Sequence, residues 1–330
     1  MINIDNSNNV KLDTSGNKPK IGVSACLLGK PVRFDGGHKN NKMIVDELSQ
    51  FIELVSVCPE LEAGFSSPRP AMQLRRKGDE IRLLINKTPF QDMTEQMTSY
   101  ADKKVQQLSD LDGFIFKKDS PSCGAFRVPV VINDDGYRHR DATGLFAQAF
   151  MQQNPLTPVE EEGRLNDNAI RENFFERIYA YQRWKQIADP LNNVSGLFEF
   201  HARHKLMLMG RGSALYQELG RMVAHTTRAN LAERRSAYIA RFMEVMTLRS
   251  RPGRQVNVMQ HIMGYLKDVL SGEDKQELLS VFEAYRQREL PLITPITLLR
   301  HHLRVHPQPY INQQHYLEPF PRQLALRSSL

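Results

Sequence analysis

The chain has 330 residues, of which 41% are hydrophobic and 25% charged, with a net charge of +7. This length favours two domains. No apolar run approaches the ~20 residues that cross a bilayer, and the polar N-terminus has no signal-peptide core. Three cysteines are too few for a disulfide framework. We therefore expect a cytoplasmic protein with no membrane contact, whose residues 1–18 form a disordered tail.

The positive charge lies in the second half of the chain. Residues 1–164 carry 21 Lys and Arg against 22 Asp and Glu, whereas residues 165–330 carry 23 against 15. The net charges of the two halves are therefore −1 and +8. Such asymmetry indicates either that the second half binds a polyanion such as RNA, or only that its surface is strongly solubilising.

In the first half, short β-rich runs alternate with segments of helical spacing. Strands are predicted within 20–29, 52–60, 112–120 and 127–134, and residues 80–86 are either a further strand or a hairpin arm. Helical spacing covers 43–51 and 93–110. This alternation predicts an α/β domain with a mostly parallel, Rossmann-like sheet and helices on its faces.

The second half has helical spacing almost throughout, which predicts an all-α domain. The helical segments are 168–188, 197–210, 214–227, 231–250, 255–270 and 274–290. Ser271 precedes two acidic residues and is a plausible helix start. A linker is expected near 189–195. We therefore predict an α/β domain over 19–188, with its core in 19–155 and a helical extension, and a basic helical domain over 189–330.

Each of the three cysteines follows a predicted strand. Cys26 and Cys58 end the runs IGVSAC and ELVSVC, and Cys123 lies in the loop KKDSPSCG, just beyond GFIFKK. In an open α/β sheet the carboxyl ends of the strands face one crevice, where ligands bind. A single cysteine in such a position is more often a small buried residue. Three of them at strand ends favour one shared site.

Three converging thiols suit two kinds of metal site. Zinc needs a fourth ligand in a structural site, and His38 is a candidate, although the chain has no close Cys pair. An iron–sulfur cluster is the other option for soft ligands. A [4Fe–4S] cluster on three cysteines leaves one iron open to bind sulfur.

The motifs around these cysteines resemble those of the TudS-like thiouracil desulfidases. They appear in order over about residues 19–155 as SACLLGKPVRFDGG (24–37), VSVCPE (55–60), SSPRPAMQL (66–74) and KKDSPSCG (117–124). The helical half resembles the YbgA-like domain. Its motifs are FHARHKLMLM (200–209), NVMQHIMGY (257–265), YRQRELPLITPITLL (285–299) and YINQQHYLEPFP (310–321).

The resemblance implies a [4Fe–4S] cluster bound by Cys26, Cys58 and Cys123. It also implies removal of sulfur from thiolated uracil, including 4-thiouridine in tRNA, by non-redox hydrolysis. Many relatives have a further cysteine where this chain has Val32, which leaves the three as the only possible set. Many also have Arg, Lys or Glu in place of Asp119, so no role is expected for that side chain.

Five residues near the cysteines are candidates for substrate chemistry. Glu60, two residues after a predicted ligand, is the candidate general base, and Ser120 would orient water or relay a proton. Arg33 and Arg69 would bind a substrate carbonyl or phosphate, although each could equally pair with a loop carboxylate. Ser122 is a weaker candidate, since its hydroxyl could bond its own loop.

Basic residues of the helical half are candidates for RNA contacts. With nearby tyrosines they could bind phosphates and stack on bases. The residues are Lys205, Arg234, Arg235, Arg241, Arg251 and Arg254.

Three hypotheses follow from the sequence. The first is an iron–sulfur desulfidase acting on 4-thiouridine in tRNA. The second applies the same chemistry to free thiouracil or thiouridine monophosphate, with the helical half serving regulation or oligomerisation. The third is a nucleic-acid-binding protein whose thiols are structural or hold a metal. The sequence sets no oligomeric state and does not distinguish 2-thio from 4-thio substrates.

Overall fold

A computed structural model describes residues 18–133, 135–188 and 193–329. Of the predicted disordered tail, all but Lys18 lies outside the described residues. The predicted linker is likewise described only from Asn193 onward. Across the described ranges, none of the helices combines the length and the apolar composition that a bilayer-spanning segment requires.

The described part of the chain contains nine strands in two sheets. The strands are β1 (Lys20–Ser24), β2 (Glu53–Val57), β3 (Met72–Lys77), β4 (Glu80–Ile85), β5 (Gln91–Asp92), β6 (Gly113–Phe116), β7 (Val128–Val131), β8 (Arg138–Ala142) and β9 (Val159–Glu161). The first sheet has the order β2-β1-β6-β9, and the second has the order β5-β4-β3-β7-β8.

Every neighbouring pair of strands in the first sheet is parallel. Ile21 of the central β1 pairs with Leu54 of β2 on one side and with Gly113 of β6 on the other. β6 is buried along its whole length, and so is β1 after its first residue, as expected for strands covered on both faces. The predicted mostly parallel α/β sheet is confirmed.

The second sheet is built around a hairpin. β3 and β4 are antiparallel, and Lys77 pairs with Glu80 across a two-residue turn that contains Gly78 at a φ of 63°. Glycine adopts this left-handed backbone with little strain, which makes it the preferred residue in tight hairpin turns. Of the two interpretations of residues 80–86, the hairpin arm is therefore correct.

Eleven α-helices lie within the described residues. They are α1 (Pro59–Glu62), α2 (Thr94–Gln107), α3 (Leu145–Gln153), α4 (Asn168–Arg183), α5 (Val194–Arg211), α6 (Ser213–Ala224), α7 (Leu231–Thr247), α8 (Pro252–Gly264), α9 (Gly272–Arg286), α10 (Ile293–Val305) and α11 (Pro309–Asn312). From α5 to residue 329 the described chain has no strand, so the predicted helical half is confirmed. Ser271 caps α9 in a capping box with Asp274, as its sequence context predicted.

α4 packs against both halves of the molecule. Phe174 near its start joins the hydrophobic core around β1, and Trp184 just after its end joins the core of the helical half. Between them, Glu176 is buried and paired with Arg211 of α5 and with Arg327 near the C-terminus. A buried carboxylate needs such partners, and here they tie three distant parts of the chain together.

Candidate functional site

Three parallel strands of the first sheet each lead to one cysteine. β1 runs directly into a short 3-10 turn that contains Cys26. Cys58 follows the last residue of β2, and Cys123 lies in the loop after β6. Because β2, β1 and β6 are adjacent and parallel, their carboxyl ends open onto the same edge of the sheet.

The three cysteines line one cavity of about 340 Å³, which we call the thiol cavity. All three thiols are free of disulfides. Arg33, Glu60 and Ser120, which the sequence singled out for substrate chemistry, line the same cavity. Soft sulfur donors and groups able to exchange protons are therefore brought together in one site.

The loop that carries Cys123 is shaped by its small residues. The Ser120 Oγ atom accepts a hydrogen bond from the Cys123 N–H at 3.0 Å, and the Gly124 N–H donates to the Ser120 carbonyl at 2.8 Å. A Cβ atom on Gly124 would lie 2.3 Å from Cγ2 of Val128 and 2.8 Å from that carbonyl oxygen. Only glycine permits this close approach, which fixes the position of the thiol.

Burial raises the pKa of each of the three thiols. Two of them are buried, and Cys58 is half-buried. The positive charges of Lys117 and Arg33 oppose this rise in pKa at Cys26, and Arg69 opposes it at Cys58. The thiols are therefore protonated at neutral pH in the absence of a metal, with cations nearby that stabilise thiolates when a metal displaces the protons.

Glu60, Arg69 and Ser120 form a hydrogen-bonded group beside the thiols. Nη2 of Arg69 donates to Oε2 of Glu60, and the two side chains are only 5% and 15% exposed. The Ser120 hydroxyl lies 3.5 Å from Oε1 of Glu60. The group therefore presents the Glu60 side-chain oxygens and the Ser120 hydroxyl at the wall of the thiol cavity.

The three residues predicted to bind substrate have different positions. Arg33 lines the thiol cavity, with its Nε atom 3.4 Å from Oδ1 of Asp35. Arg69 is absent from the cavity lining, because its guanidinium is turned to Glu60. Ser122 is completely buried and is also absent from the lining. Of these three residues, only Arg33 has direct access to the cavity.

Ser24, Phe34 and Lys117 are among the residues that line the thiol cavity and that sequence reasoning missed. The Ser24 hydroxyl accepts from the Lys117 N–H at 2.9 Å, and it partly offsets the rise that burial causes in the pKa of the Cys123 thiol. Phe34 is 42% exposed, and the Arg33 guanidinium lies 5.5 Å from its ring centre. Ser24 and Phe34 belong to the sequence stretch around the first cysteine, which was the available signal.

No described group of side chains fits a single metal ion. Over residues 18–133, 135–188 and 193–329, no three His, Cys, Asp or Glu side chains are arranged to hold one. His38, the candidate fourth ligand for zinc, is exposed, and its Nδ1 atom accepts from the Asn40 N–H at 3.2 Å. The zinc alternative therefore finds no support among the described residues.

Three of the six basic residues predicted to bind RNA are engaged by other parts of the protein. Arg241 pairs with a glutamate of α6 at 2.7 Å, and Arg254 donates to the last carbonyl of α5. The Arg235 guanidinium lies 5.7 Å from the ring centre of Trp184. These contacts hold the three guanidinium groups against the protein and reduce their freedom to bind a phosphate.

The other three basic residues are less constrained. Within the described ranges, Arg234 and Arg251 have no ion-pair partner, and Arg251 is exposed. The Lys205 ammonium lies 5.5 Å from the ring centre of Tyr216 and 5.8 Å from that of Tyr310. Of the six predicted RNA-binding residues, three are thus held by contacts with the protein and three are less constrained.

Comparison with known proteins gives one family match in each half of the chain. Residues 21–162 match the family described as 2-thiouracil desulfurase, and residues 205–321 match a family described as a protein of unknown function, DUF1722.

Three relatives match one part or the other. The uncharacterized protein YbgA of Escherichia coli (strain K12) is 27% identical over 154 residues, which are 46% of this chain and 91% of that protein. The uncharacterized protein YbbK of Bacillus subtilis (strain 168) is 30% identical over 154 residues, 44% of this chain and 97% of that protein. A solved structure of the [4Fe-4S]-dependent thiouracil desulfidase TudS is 27% identical, covers 46% of this chain and 95% of its own, and has a TM-score of 0.38.

The sequence motifs, the parallel sheet and the family match agree on the first half of the molecule. The chain belongs to the 2-thiouracil desulfurase family through residues 21–162, and its helical half carries a YbgA-like domain.

Proposed function

We propose that this protein removes the sulfur of 4-thiouridine in tRNA and releases it as hydrogen sulfide. In this proposal Cys26, Cys58 and Cys123 bind a [4Fe–4S] cluster, and the reaction is a hydrolysis without redox change. The observation that carries the proposal is that the three free thiols share one cavity with Glu60 and Ser120. The family description, which names 2-thiouracil, supports a thiolated uracil as substrate.

The residues of the thiol cavity fit a polynuclear cluster better than a single ion. Iron–sulfur clusters are bound by cysteine thiolates, and three thiols line this cavity. Among the described residues, no three His, Cys, Asp or Glu side chains are arranged to hold a single ion. Lys117 and Arg33 would offset the negative charge of the thiolates.

The reaction exchanges a thiocarbonyl for a carbonyl. Water adds to the carbon that bears sulfur, the carbon–sulfur bond breaks, and sulfur departs as hydrogen sulfide with the two protons of the water. A bound cluster supplies an iron without a protein ligand, a Lewis acid suited to a soft sulfur atom. The protein side chains must supply the proton transfers.

Glu60 and Ser120 are placed to perform these proton transfers. The Glu60 carboxylate accepts the proton of the attacking water. Ser120 Oγ accepts hydrogen bonds from the N–H groups of Ser122 at 3.3 Å and Cys123 at 3.0 Å, which leaves its own proton free to donate. Because the hydroxyl lies between Glu60 and the loop that carries Cys123, it can relay a proton to the departing sulfur.

Arg69 is a positioning residue in this mechanism. Replacing it with methionine removes the donor that holds Glu60 while keeping much of the apolar volume, so kcat should fall by about 10²-fold with a smaller change in KM. Arg69→Lys should recover part of the loss, because an ammonium still donates to the carboxylate. Steady-state release of hydrogen sulfide, measured over a range of substrate concentrations, gives both constants.

The opposite kinetic result would support the direct substrate contact predicted from the sequence. If Arg69→Met raises KM and leaves kcat unchanged, the guanidinium binds substrate in the working enzyme, and its contact with Glu60 is secondary.

The helical half is proposed to bind the RNA. Its net charge of +8, against −1 for residues 1–164, suits a phosphate backbone, whereas a free base needs no such surface. We also propose that the two functions correspond to domains over 19–188 and 189–330. tRNA as substrate and reduced thiols both fit a cytoplasmic location.

A free thiolated nucleotide or base is the second candidate substrate. The thiol cavity, at about 340 Å³, would be shared by the cluster and the thiolated base. Phe34 and Arg33 together offer a ring surface and a cation at its wall. These features fit thiouridine monophosphate as well as one nucleotide of a tRNA.

The salt dependence of kcat/KM, measured with each substrate, distinguishes the two candidates. For 4-thiouridine in tRNA, log(kcat/KM) should fall with log[salt] with a slope of about −0.7 for each phosphate neutralised on a single strand. For thiouridine monophosphate the slope should be shallow. The measurement is release of hydrogen sulfide by the full-length protein from about 50 to 200 mM salt.

Unthiolated tRNA is the matched control, since it should inhibit the tRNA reaction competitively and do so less strongly at high salt. Equal salt slopes for both substrates, together with no inhibition by unthiolated tRNA, would make the free nucleotide the substrate.

A further inference from the structure

A second cavity lies between α4 and the helical half. Its lining residues all follow Cys123 in the sequence, from Asn168 onward. Its volume is about 470 Å³, larger than that of the thiol cavity, and the two share no lining residue. Its walls come from the start of α4, the end of α5, the segment before α8, the segment after α9 and the C-terminal residues. We call it the arginine cavity, after its five arginines Arg211, Arg249, Arg251, Arg288 and Arg327.

Two of these arginines form a fixed, buried wall. Arg211 and Arg327 both pair with Glu176, and Nε of Arg327 also lies 3.0 Å from Oε1 of Glu172. Both guanidinium groups are about 95% buried. The two glutamates are the only carboxylates in the lining that is described. Their charges are used by the two buried arginines, so the remaining three arginines leave the cavity with an excess of positive charge.

The three remaining arginines have little to neutralise them. Among the described residues, Arg251 and Arg288 have no ion-pair partner, and both are exposed. Within the described ranges, the one ion-pair partner of Arg249 is Asp167, whose Oδ1 atom lies 4.0 Å from Nη1 of Arg249, and both side chains are at least half exposed. An exposed pair at that distance contributes little. The rim of the cavity therefore holds three guanidinium groups available to an anion.

The backbone of Arg288 and the side chain of Arg211 both support anion binding in the arginine cavity. Arg288 holds a left-handed backbone with a φ of 63°, a conformation that costs an arginine free energy and that glycine would adopt more easily. Nε of Arg211 is buried and has no hydrogen-bond partner within the described structure. A buried donor without a partner is costly, and an acceptor on a ligand in this cavity is one way to satisfy it.

The rest of the lining suits the body of a nucleotide. α8 begins at Pro252 on the cavity wall, and the positive end of its helix dipole favours negative charge there. Tyr285 and Leu290 add an aromatic ring and an apolar surface, and Asn168 adds an amide. Arginine forks match phosphate oxygens in geometry as well as charge.

We propose that the arginine cavity binds a phosphate group carried by a nucleotide, at a site separate from the thiol cavity. The nucleotide is either part of an RNA chain or a free mononucleotide, and the recognition chemistry is the same for both. The RNA case rests on the proposed tRNA substrate, whereas the mononucleotide case is independent of the reaction.

The test compares two charge-matched double variants of the full-length protein. Arg251→Gln with Arg288→Gln removes two cations from the rim and breaks no ion pair among the described residues. The control, Arg286→Gln with Arg322→Gln, removes two exposed arginines that lie outside the cavity lining. Both proteins lose the same formal charge. The probes are uridine monophosphate, measured by calorimetry, and unthiolated tRNA, measured by filter binding.

The rim variant should bind a probe about tenfold or more weakly than wild type, because each lost cation–phosphate hydrogen bond is charge-assisted. The control variant should stay within about twofold of wild type, since surface charge away from the site acts only at long range. Weakened binding of both probes identifies a mononucleotide site. Weakened binding of tRNA alone, with no measurable uridine monophosphate binding, identifies an RNA phosphate contact. Equal affinities in the two variants overturn the proposal.

Chemical protection of the wild-type protein tests the same site without any substitution. Phenylglyoxal modifies accessible arginines, and a bound probe should protect Arg251 and Arg288 while leaving Arg286 reactive. Absence of protection at saturating probe overturns the proposal. Release of hydrogen sulfide from thiouridine monophosphate reports on the thiol cavity, so failure of the proposed desulfidase activity would leave these binding results intact.

Discussion

Replacing Cys58 with alanine is expected to abolish both the bound iron and the release of hydrogen sulfide. With one thiolate lost, a cluster bound by Cys26 and Cys123 alone would have too few ligands to persist, and nothing would then polarise the thiocarbonyl. Cys58 is the preferred first target because it is half-buried, so its truncation disturbs the core least. Iron and sulfide content after anaerobic purification, and turnover of 4-thiouridine, are the measurements.

Ser56→Ala provides the matched control for this variant. It removes a side-chain heteroatom on β2, two residues before the cysteine and outside the lining of the thiol cavity. Iron content and turnover should both be retained. A Cys58→Ala protein that keeps full iron content and turnover would contradict the three-cysteine site. If the variant loses its iron but keeps full turnover, the reaction does not require the cluster.

The strands that lead to the thiols were predictable because each contains a short run with β-branched or aromatic apolar residues. β6 reads GFIF and is buried throughout, and β1 reads KIGVS and is buried after its first residue, as expected for strands covered on both faces. In the second sheet, β4 and β7 lie within the predicted runs 80–86 and 127–134, whereas β3 and β8 gave no such signal. β3 reads MQLRRK and β8 reads RHRDA, and strands with one exposed, charged face are hidden from an apolar pattern.

Side-chain pairing within the site was harder to foresee. Arg69 was predicted either to contact substrate or to pair with a loop carboxylate, and the structure pairs its guanidinium with Glu60, nine residues earlier in the sequence. Nothing local to either residue specifies this contact, because it depends on how the loop between α1 and β3 folds back. The arginine cavity was beyond sequence reasoning for a similar reason, since its lining comes from five separate segments between residues 168 and 329.

In the helical half, sequence reasoning failed to predict one of the longer helices. The apolar spacing of its longer helices predicted most of them, but α10 was missed. Its sequence contains Pro295, and a proline usually argues against a helix. Here it lies in the first turn, where no intrahelical donor is required and proline is tolerated.

Glu60→Gln is expected to lower kcat by about 10²- to 10⁴-fold while the cluster is retained. The amide has nearly the same shape as the carboxylate, and its oxygen can still accept from Arg69. It cannot take a proton from water at neutral pH, so only the proton transfer is lost. The Ser120 hydroxyl would remain bonded to its own loop through the Cys123 N–H. The cluster's visible absorbance should therefore match wild type, and KM should change little.

Glu62→Gln is the control for this prediction, because Glu62 lies two residues further along α1 and outside the thiol cavity. Its Oε1 atom accepts from the Cys58 N–H at 2.9 Å, a bond that an amide oxygen can keep. Its turnover should stay within about tenfold of wild type, the cost of weakening one charged contact. If Glu60→Gln runs as fast as Glu62→Gln, the Glu60 carboxylate is not the base. The Ser120 hydroxyl or a solvent water would then have to accept the proton without help from Glu60.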